Sequence, residues 1–150
     1  MKKTIIGLWG TANVGKTMTL GALGKKLLEA GATTNNNIDF KEYRAIIQYK
    51  GKVIGLQTYG DHASVVEEGL EYFNKHQCEM IIMAAKSYGA TTDLIINYAS
   101  TFGYGILWFA PIQLEGNYSR ESEELKRVKQ YAAQQLLQAI NDLISETLQY

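Results

Sequence analysis

The chain has little of several features, and each shortage excludes a class of protein. Among its 150 residues there is one cysteine, Cys78, so a disulfide framework and a cysteine-based zinc site are both excluded. Lys plus Arg and Asp plus Glu both total 15, so nothing in the overall charge favours nucleic acid or a membrane surface. No apolar stretch approaches the ~20 residues that cross a bilayer, and no signal sequence precedes the first predicted strand. We therefore expect one cytoplasmic domain over residues 1–150.

One glycine-rich segment carries most of the functional information. Residues 10–17, GTANVGKT, fit the phosphate-binding loop pattern G-x-x-x-x-G-K-[ST] at every fixed position. In such a loop the backbone N–H groups surround a phosphate chain, the lysine reaches the β- and γ-phosphates, and the hydroxyl binds Mg²⁺. The motif predicts a site for ATP or GTP with Mg²⁺, in which Lys16 is also catalytic and Thr17 is also a metal ligand. The predicted nucleotide-binding residues are Gly10, Asn13, Val14, Gly15, Lys16 and Thr17.

The neighbouring sequence supports this interpretation of the motif. An apolar run from Thr4 to Trp9 precedes it and is typical of a buried parallel strand. After Gly15, leucines at helical spacing predict a helix that ends near Gly31. An accidental glycine-rich turn is the alternative, and it does not require a strand before it and a helix after it. The context therefore favours a phosphate-binding loop.

Hydrophobic periodicity predicts alternating strands and helices along the rest of the chain. The alternation predicts a three-layer α/β/α sandwich, the P-loop NTPase fold, with a mostly parallel sheet and one antiparallel hairpin strand. Ligands of such sheets bind at the carboxyl ends of the strands. The predicted elements after the first helix are a loop over 32–37, strands over 43–49 and 53–58, a helix over 62–76, a strand over 80–85, a helix from Thr91 or Thr92 to 103, a strand over 105–110 and a helix over 119–150.

The order of elements resembles that of Ras-like GTPases over about the first 110 residues. In that family the second strand of the hairpin after the first helix ends in D-x-x-G, and the glycine N–H meets the γ-phosphate. The corresponding residues here are Gln57 to Gly60, so the resemblance implies a nucleotide-binding role for Gly60 and places Gln57 where the family's Mg²⁺-side acid stands. The family's guanine-reading motif is absent from Ala110 to Gln113, so ATP is favoured over GTP.

Polar residues at the predicted strand ends are further candidates for the site. Asp61, expected after the strand neighbouring the first one, is predicted to bind Mg²⁺ and to act in catalysis, with capping of the next helix as the alternative. Lys86 is predicted to neutralise γ-phosphate charge, and its alternative is a solvated loop lysine. By analogy with the family's switch loop, Thr33 or Thr34 is a weaker candidate metal ligand. His62 is expected to be a surface residue.

These features predict a Mg²⁺-dependent nucleoside triphosphatase that couples nucleotide state to a protein partner or to self-association. A small-molecule or nucleotide kinase is one alternative, although such enzymes usually clamp phosphate with several arginines and only Arg44, Arg120 and Arg127 are present. A nucleotide-binding module without hydrolysis is the other alternative, and Gln57 at the acid position is the argument for it. Neither a membrane nor a nucleic acid is an expected partner.

Overall fold

A mixed sheet organises the chain, and helices lie on both of its faces. The computed structural model describes residues 1–9, 15–86, 89–112 and 122–148. Within these ranges the strands are β1 (Thr4–Trp9), β2 (Thr33–Thr34), β3 (Arg44–Tyr49), β4 (Lys52–Gln57), β5 (Met80–Ala85) and β6 (Gly105–Phe109), and the helices are α1 (Lys16–Glu29), α2 (Ala63–Lys75), α3 (Ala90–Phe102) and α4 (Glu123–Ile144).

The sheet has the strand order β2-β3-β4-β5-β1-β6. Strands β4, β5, β1 and β6 are parallel, whereas β3 is antiparallel to both β4 and β2. The predicted α/β class, the mostly parallel sheet and the antiparallel hairpin are therefore confirmed. Strand β2 was not predicted, because its two threonines fall in a polar segment whose composition is typical of a loop.

Alternation along the buried strands divides the core into two halves. On β1, Ile6 and Leu8 belong to a cluster that includes leucines of α1 and α4. Ile5 points to the opposite face and belongs to the cluster formed with α2 and α3. Fully buried side chains such as Leu27 in the first cluster and Phe73 in the second each contribute about 1.5–3 kcal/mol by leaving water.

Two helix boundaries differ from the prediction. Helix α4 ends at Ile144, so Leu148, which is 39% exposed, lies beyond its apolar stripe. At its start, the Ser122 side chain accepts a hydrogen bond of 3.2 Å from Leu125 N–H; the predicted start at 119 lies outside the described residues. Helix α3 is preceded by Gly89 as its cap residue, so the predicted capping by Thr91 or Thr92 is wrong. None of the helices in the described ranges is long and apolar enough to cross a membrane.

Two glycines of α1 test how closely this helix packs on the sheet. A Cβ built on Gly24 would overlap the hydroxyl of the buried Tyr43, whereas one built on Gly21 would meet open space. Gly21→Ala should raise the free energy of unfolding by about 1 kcal/mol through helix propensity alone. Gly24→Ala should be about 1–3 kcal/mol less stable than Gly21→Ala because of overpacking. Urea denaturation measures both.

Removing the hydroxyl separates steric overlap from other effects at Gly24. The Tyr43→Phe background should recover most of the loss in Gly24→Ala. Equal stabilities of Gly21→Ala and Gly24→Ala would contradict the described packing of α1 against Tyr43, the residue before β3.

Candidate functional site

Among the described elements, β1 and β5 are neighbouring strands whose following helices lie on opposite faces of the sheet. Helix α1, which follows β1 along the chain, packs in the first core cluster, and α3, which follows β5, packs in the second. In open α/β sheets ligands bind at such a switch in direction, outside the carboxyl ends of the strands. Trp9 pairs with Ala85, so β1 and β5 end at the same level. The motif after β1 and Lys86 after β5 therefore belong to the same end of the sheet.

The described part of the motif starts a helix at this position. Gly15 has φ of 73°, a left-handed conformation that favours glycine, and α1 begins at the next residue. No acidic residue occurs in the first turn of α1. A helix N-terminus with this composition favours an anion through its free N–H groups and its dipole. Gly10, Asn13 and Val14 lie outside the described residues.

Lys16 crosses from the start of α1 to the end of β5. Its side chain is only 4% exposed, and its Nζ donates a hydrogen bond of 2.7 Å to the Ala85 carbonyl oxygen. Burial lowers the pKa of the Lys16 ammonium group, the Asp61 carboxylate opposes this, and Lys86 adds to it. The structure therefore brings two predicted catalytic residues, Asp61 and Lys86, within electrostatic range of the third, Lys16.

The backbone of Lys86 is fixed by the first turn of α3. Lys86 N–H donates to Thr91 Oγ1 at 3.1 Å, and Thr92 Oγ1 donates to the Lys86 carbonyl oxygen. The two threonines predicted as helix caps thus hold the end of β5 instead. The Lys86 side chain is exposed, so its ammonium group is accessible to a ligand.

Asp61 follows β4, and the loop that contains Gly60 brings it toward the end of β5. The expectation that it follows the neighbour of β1 is wrong, because β5 lies between β4 and β1. A Cβ built on Gly60 would overlap the Ala84 carbonyl oxygen, so the chain after β4 lies directly against the end of β5. Asp61 is exposed, and His62, not Asp61, is the cap residue of α2. Close packing on β5 is therefore a sufficient reason for glycine at position 60.

Gln57 faces α2 and belongs to the connection between β4 and that helix. It is fully buried, and its Oε1 accepts a hydrogen bond of 2.6 Å from Arg44 Nε. Its Nε2 donates to the Tyr59 carbonyl oxygen at 3.0 Å, and a Cβ built on Gly69 of α2 would overlap Gln57 Oε1. These contacts keep the Gln57 side chain on the face of the sheet that α2 covers. The amide at position 57 is therefore not an argument against metal binding.

The threonines considered as switch residues lie far from the motif. Strand β2 is at the edge of the sheet, and three strands separate it from β1. At about 4.8 Å per strand the two are about 19 Å apart. Thr34 Oγ1 donates to the Ile46 carbonyl oxygen at 2.7 Å, and Thr33 pairs with Gln48. The hypothesis that either threonine binds the metal is wrong.

Helix α4 brings a second lysine to the motif, and the sequence interpretation missed it. Lys129 is 5% exposed, and a Cβ built on Gly15 would overlap its Cε and Nζ atoms. Burial lowers the pKa of its ammonium group. The available signal was its place on the apolar stripe of α4, four residues after Leu125 and three before Ala132.

Within the described part of the chain, the candidate metal ligands at this site are single oxygen donors. Over the described ranges there is no group of three or more His, Cys, Asp or Glu side chains that is able to hold a metal ion. Thr17, half-buried in the first turn of α1, and the exposed Asp61 are the predicted ligands. Mg²⁺ commonly takes one or two protein ligands and completes its shell with substrate phosphates and water. The two residues fit that chemistry.

A separate groove of about 350 Å³ lies between α2 and α3. Leu70, Leu94, Tyr98 and Phe102 contribute to its lining. Tyr98 Oη donates to the Leu70 carbonyl oxygen at 3.0 Å, which ties the two helices together. This groove is formed by helix surfaces and not by strand ends, so it is distinct from the candidate site.

Comparison with known proteins adds no relative: no protein-family model, no curated protein and no solved structure matches the chain. The motif and the geometry around Lys16 are therefore the features that indicate function.

Substitution of Gln57 tests its orientation. Gln57→Asp shortens the side chain and buries a carboxylate beside α2, so the free energy of unfolding should fall by about 1–3 kcal/mol, as for other unsatisfied buried polar groups. Mg²⁺ affinity in the presence of ATP should not improve. A gain in Mg²⁺ affinity would contradict the described orientation. Urea denaturation and calorimetric titration supply the two measurements.

The pH dependence of stability tests the burial of Lys16. Its pKa in the folded protein lies below the ordinary value of 10.5, so between the two values the unfolded chain binds more protons. Stability of the native protein relative to Lys16→Met should therefore rise as pH increases toward 10.5. Cys78 and the buried tyrosines are common to both proteins, so their titrations cancel in the difference. A pH-independent difference would contradict the lowered pKa.

Proposed function

We propose that the chain is a cytoplasmic nucleoside triphosphate-binding protein, a P-loop NTPase, that hydrolyses its ligand with Mg²⁺. The observation that carries the proposal is the position of Lys16. It follows a complete phosphate-loop motif, it lies where the sheet switches direction, and its buried ammonium group is anchored on Ala85 at the end of the adjacent strand.

The charges at this end of the sheet suit a phosphate chain. Lys16 and Lys86 act on each other as like charges, and Asp61 is the acid that acts on Lys16. Burial penalises the ammonium form of Lys16, and a phosphate oxygen beside it would favour that form again. Anion binding is thus the chemistry for which this arrangement is best suited.

Each residue then has a separate role in the proposed reaction. Lys16 and the amides at the start of α1 hold the phosphates, and Lys86 neutralises charge that develops on the γ-phosphoryl group. Thr17 and Asp61 orient Mg²⁺ and water. When bound, Mg²⁺ would bridge phosphate oxygens and withdraw negative charge from them.

ATP is the favoured nucleotide because the sequence after β6 lacks the guanine-reading motif. A kinase is less well supported, since Arg44 is engaged by Gln57 and by Glu68 at 2.9 Å, and Arg127 is exposed on α4. Arg120 lies outside the described residues. We propose further that nucleotide state is communicated to a protein partner or to a second copy of the chain.

The two tryptophans provide a direct binding assay. Trp9 immediately precedes the motif, so a Trp108→Phe protein would report ATP binding through Trp9 fluorescence alone. In that background Lys16→Ala should weaken Mg²⁺–ATP binding about 10- to 100-fold, the loss expected for a charge-assisted hydrogen bond. Lys25→Ala, an exposed lysine of the same helix, is the matched control and should bind normally.

Turnover distinguishes hydrolysis from the alternatives. Phosphate release from ATP should fall about 100-fold in Asp61→Asn, and Thr17→Ala should lose its response to Mg²⁺. Unchanged ATP affinity in Lys16→Ala would overturn the proposed site. Binding without any phosphate release would support a non-hydrolysing module, and phosphate on an added acceptor would support a kinase.

A further inference from the structure

Two buried charged side chains meet at the same glycine. Across the described residues, Lys16 and Lys129 are the charged side chains that are buried, at 4% and 5% exposure. Lys16 follows Gly15 in sequence, and Lys129 lies across Gly15 from the opposite helix. The two buried lysines therefore flank the residue at which the predicted phosphate loop passes into α1.

The position of Lys129 follows from the packing of α4 on α1. Leu20, Leu23 and Leu27 of α1 share a core cluster with Leu136 and Ile140 of α4. The cluster joins the two helices, and the contact of Lys129 with Gly15 places the first half of α4 beside the start of α1. The Lys129 stem then passes Gly15 so closely that its Cδ would lie 3.3 Å from a Cβ built there.

The positions of Lys129 and of the N-terminus of α1 favour an anion between them. Gly15 is the N-cap residue of α1, where the helix dipole has its positive end. A lysine directed at that end meets a charge of its own sign. A phosphate group located there would attract both the ammonium group and the free N–H groups of the helix.

We propose that Lys129 is a second phosphate-binding cation, through which α4 completes the nucleotide site. The inference rests on the proposed function and adds to it that the last helix contacts the phosphates. Nucleotide binding and the docking of α4 on α1 are then coupled, so a phosphate ligand stabilises this part of α4 and an adenosine ligand does not. Glycine at position 15 serves both the left-handed turn and the passage of this side chain.

Lys129→Met tests the proposal because it keeps the apolar stem and removes the charge. Its thermal midpoint without ligand shows whether the variant folds. Its affinity for Mg²⁺–ATP and for inorganic triphosphate should fall about 10-fold or more, while weak adenosine binding is unchanged. The matched control is Lys126→Met, on the same helix but 52% exposed, which should behave as the native protein. Lys129→Arg should retain most of the affinity.

The proposal is overturned if folded Lys129→Met binds ATP and triphosphate as tightly as the native protein does. Should Lys129→Met fail to fold, native protein labelled with ¹³C at lysine Cε decides the matter. Triphosphate should shift the Lys129 signal and adenosine should not, and an unshifted signal at saturation overturns the proposal.

The two proposals fail in different ways. If the native protein binds neither ATP nor GTP, the proposed function fails, and triphosphate binding to the native protein and to Lys129→Met still decides whether Lys129 serves an anion site. Suppose instead that the native protein binds ATP and that Lys16→Ala loses that binding. If Lys129→Met then binds ATP with native affinity, only the role of Lys129 is overturned.

Discussion

The buried ammonium group of Lys16 donates a hydrogen bond to the carbonyl oxygen of Ala85, and this bond joins parts of the chain 69 residues apart. It links the start of α1 to the end of β5, the two elements on either side of the switch in the sheet. A buried cation is tolerated only where its surroundings compensate it. The left-handed turn at Gly15 leads directly into Lys16, and the loop through Gly60 packs on Ala84, the residue before Ala85.

Strand order explains why residues distant in sequence converge here. Because β5 lies between β4 and β1, the Lys86 backbone is next to the motif strand, and Asp61 approaches only by way of the loop that packs on Ala84. The threonines of α3 then fix Lys86 in turn. The candidate site therefore lies at the ends of two central strands, and the first turns of α1 and α3 fix its residues. Rigid placement of this kind is what preorganised phosphate binding requires.

Local patterns predicted the elements other than β2, the hairpin and the start of a helix beside Lys16, because these depend on periodicity and on a motif within a few residues of sequence. The place of β5 between β4 and β1 depends on long-range pairing that no local pattern encodes. For the same reason Gln57 was interpreted through a family position, although Arg44 and α2 decide where its amide points. Lys129 was overlooked because lysine on an apolar stripe is usually read as a surface residue, and only the packing of α4 shows it at Gly15.

Hydrogen exchange of backbone amides tests the central claim most directly, that phosphate is held between the ends of β1 and β5 and is contacted by α4. With saturating Mg²⁺–ATP, the account predicts slower exchange at residues 15–19, 86–91 and 126–132, and unchanged exchange at β2. Protection confined to the groove between α2 and α3, or nucleotide binding without protection at 15–19, would contradict it.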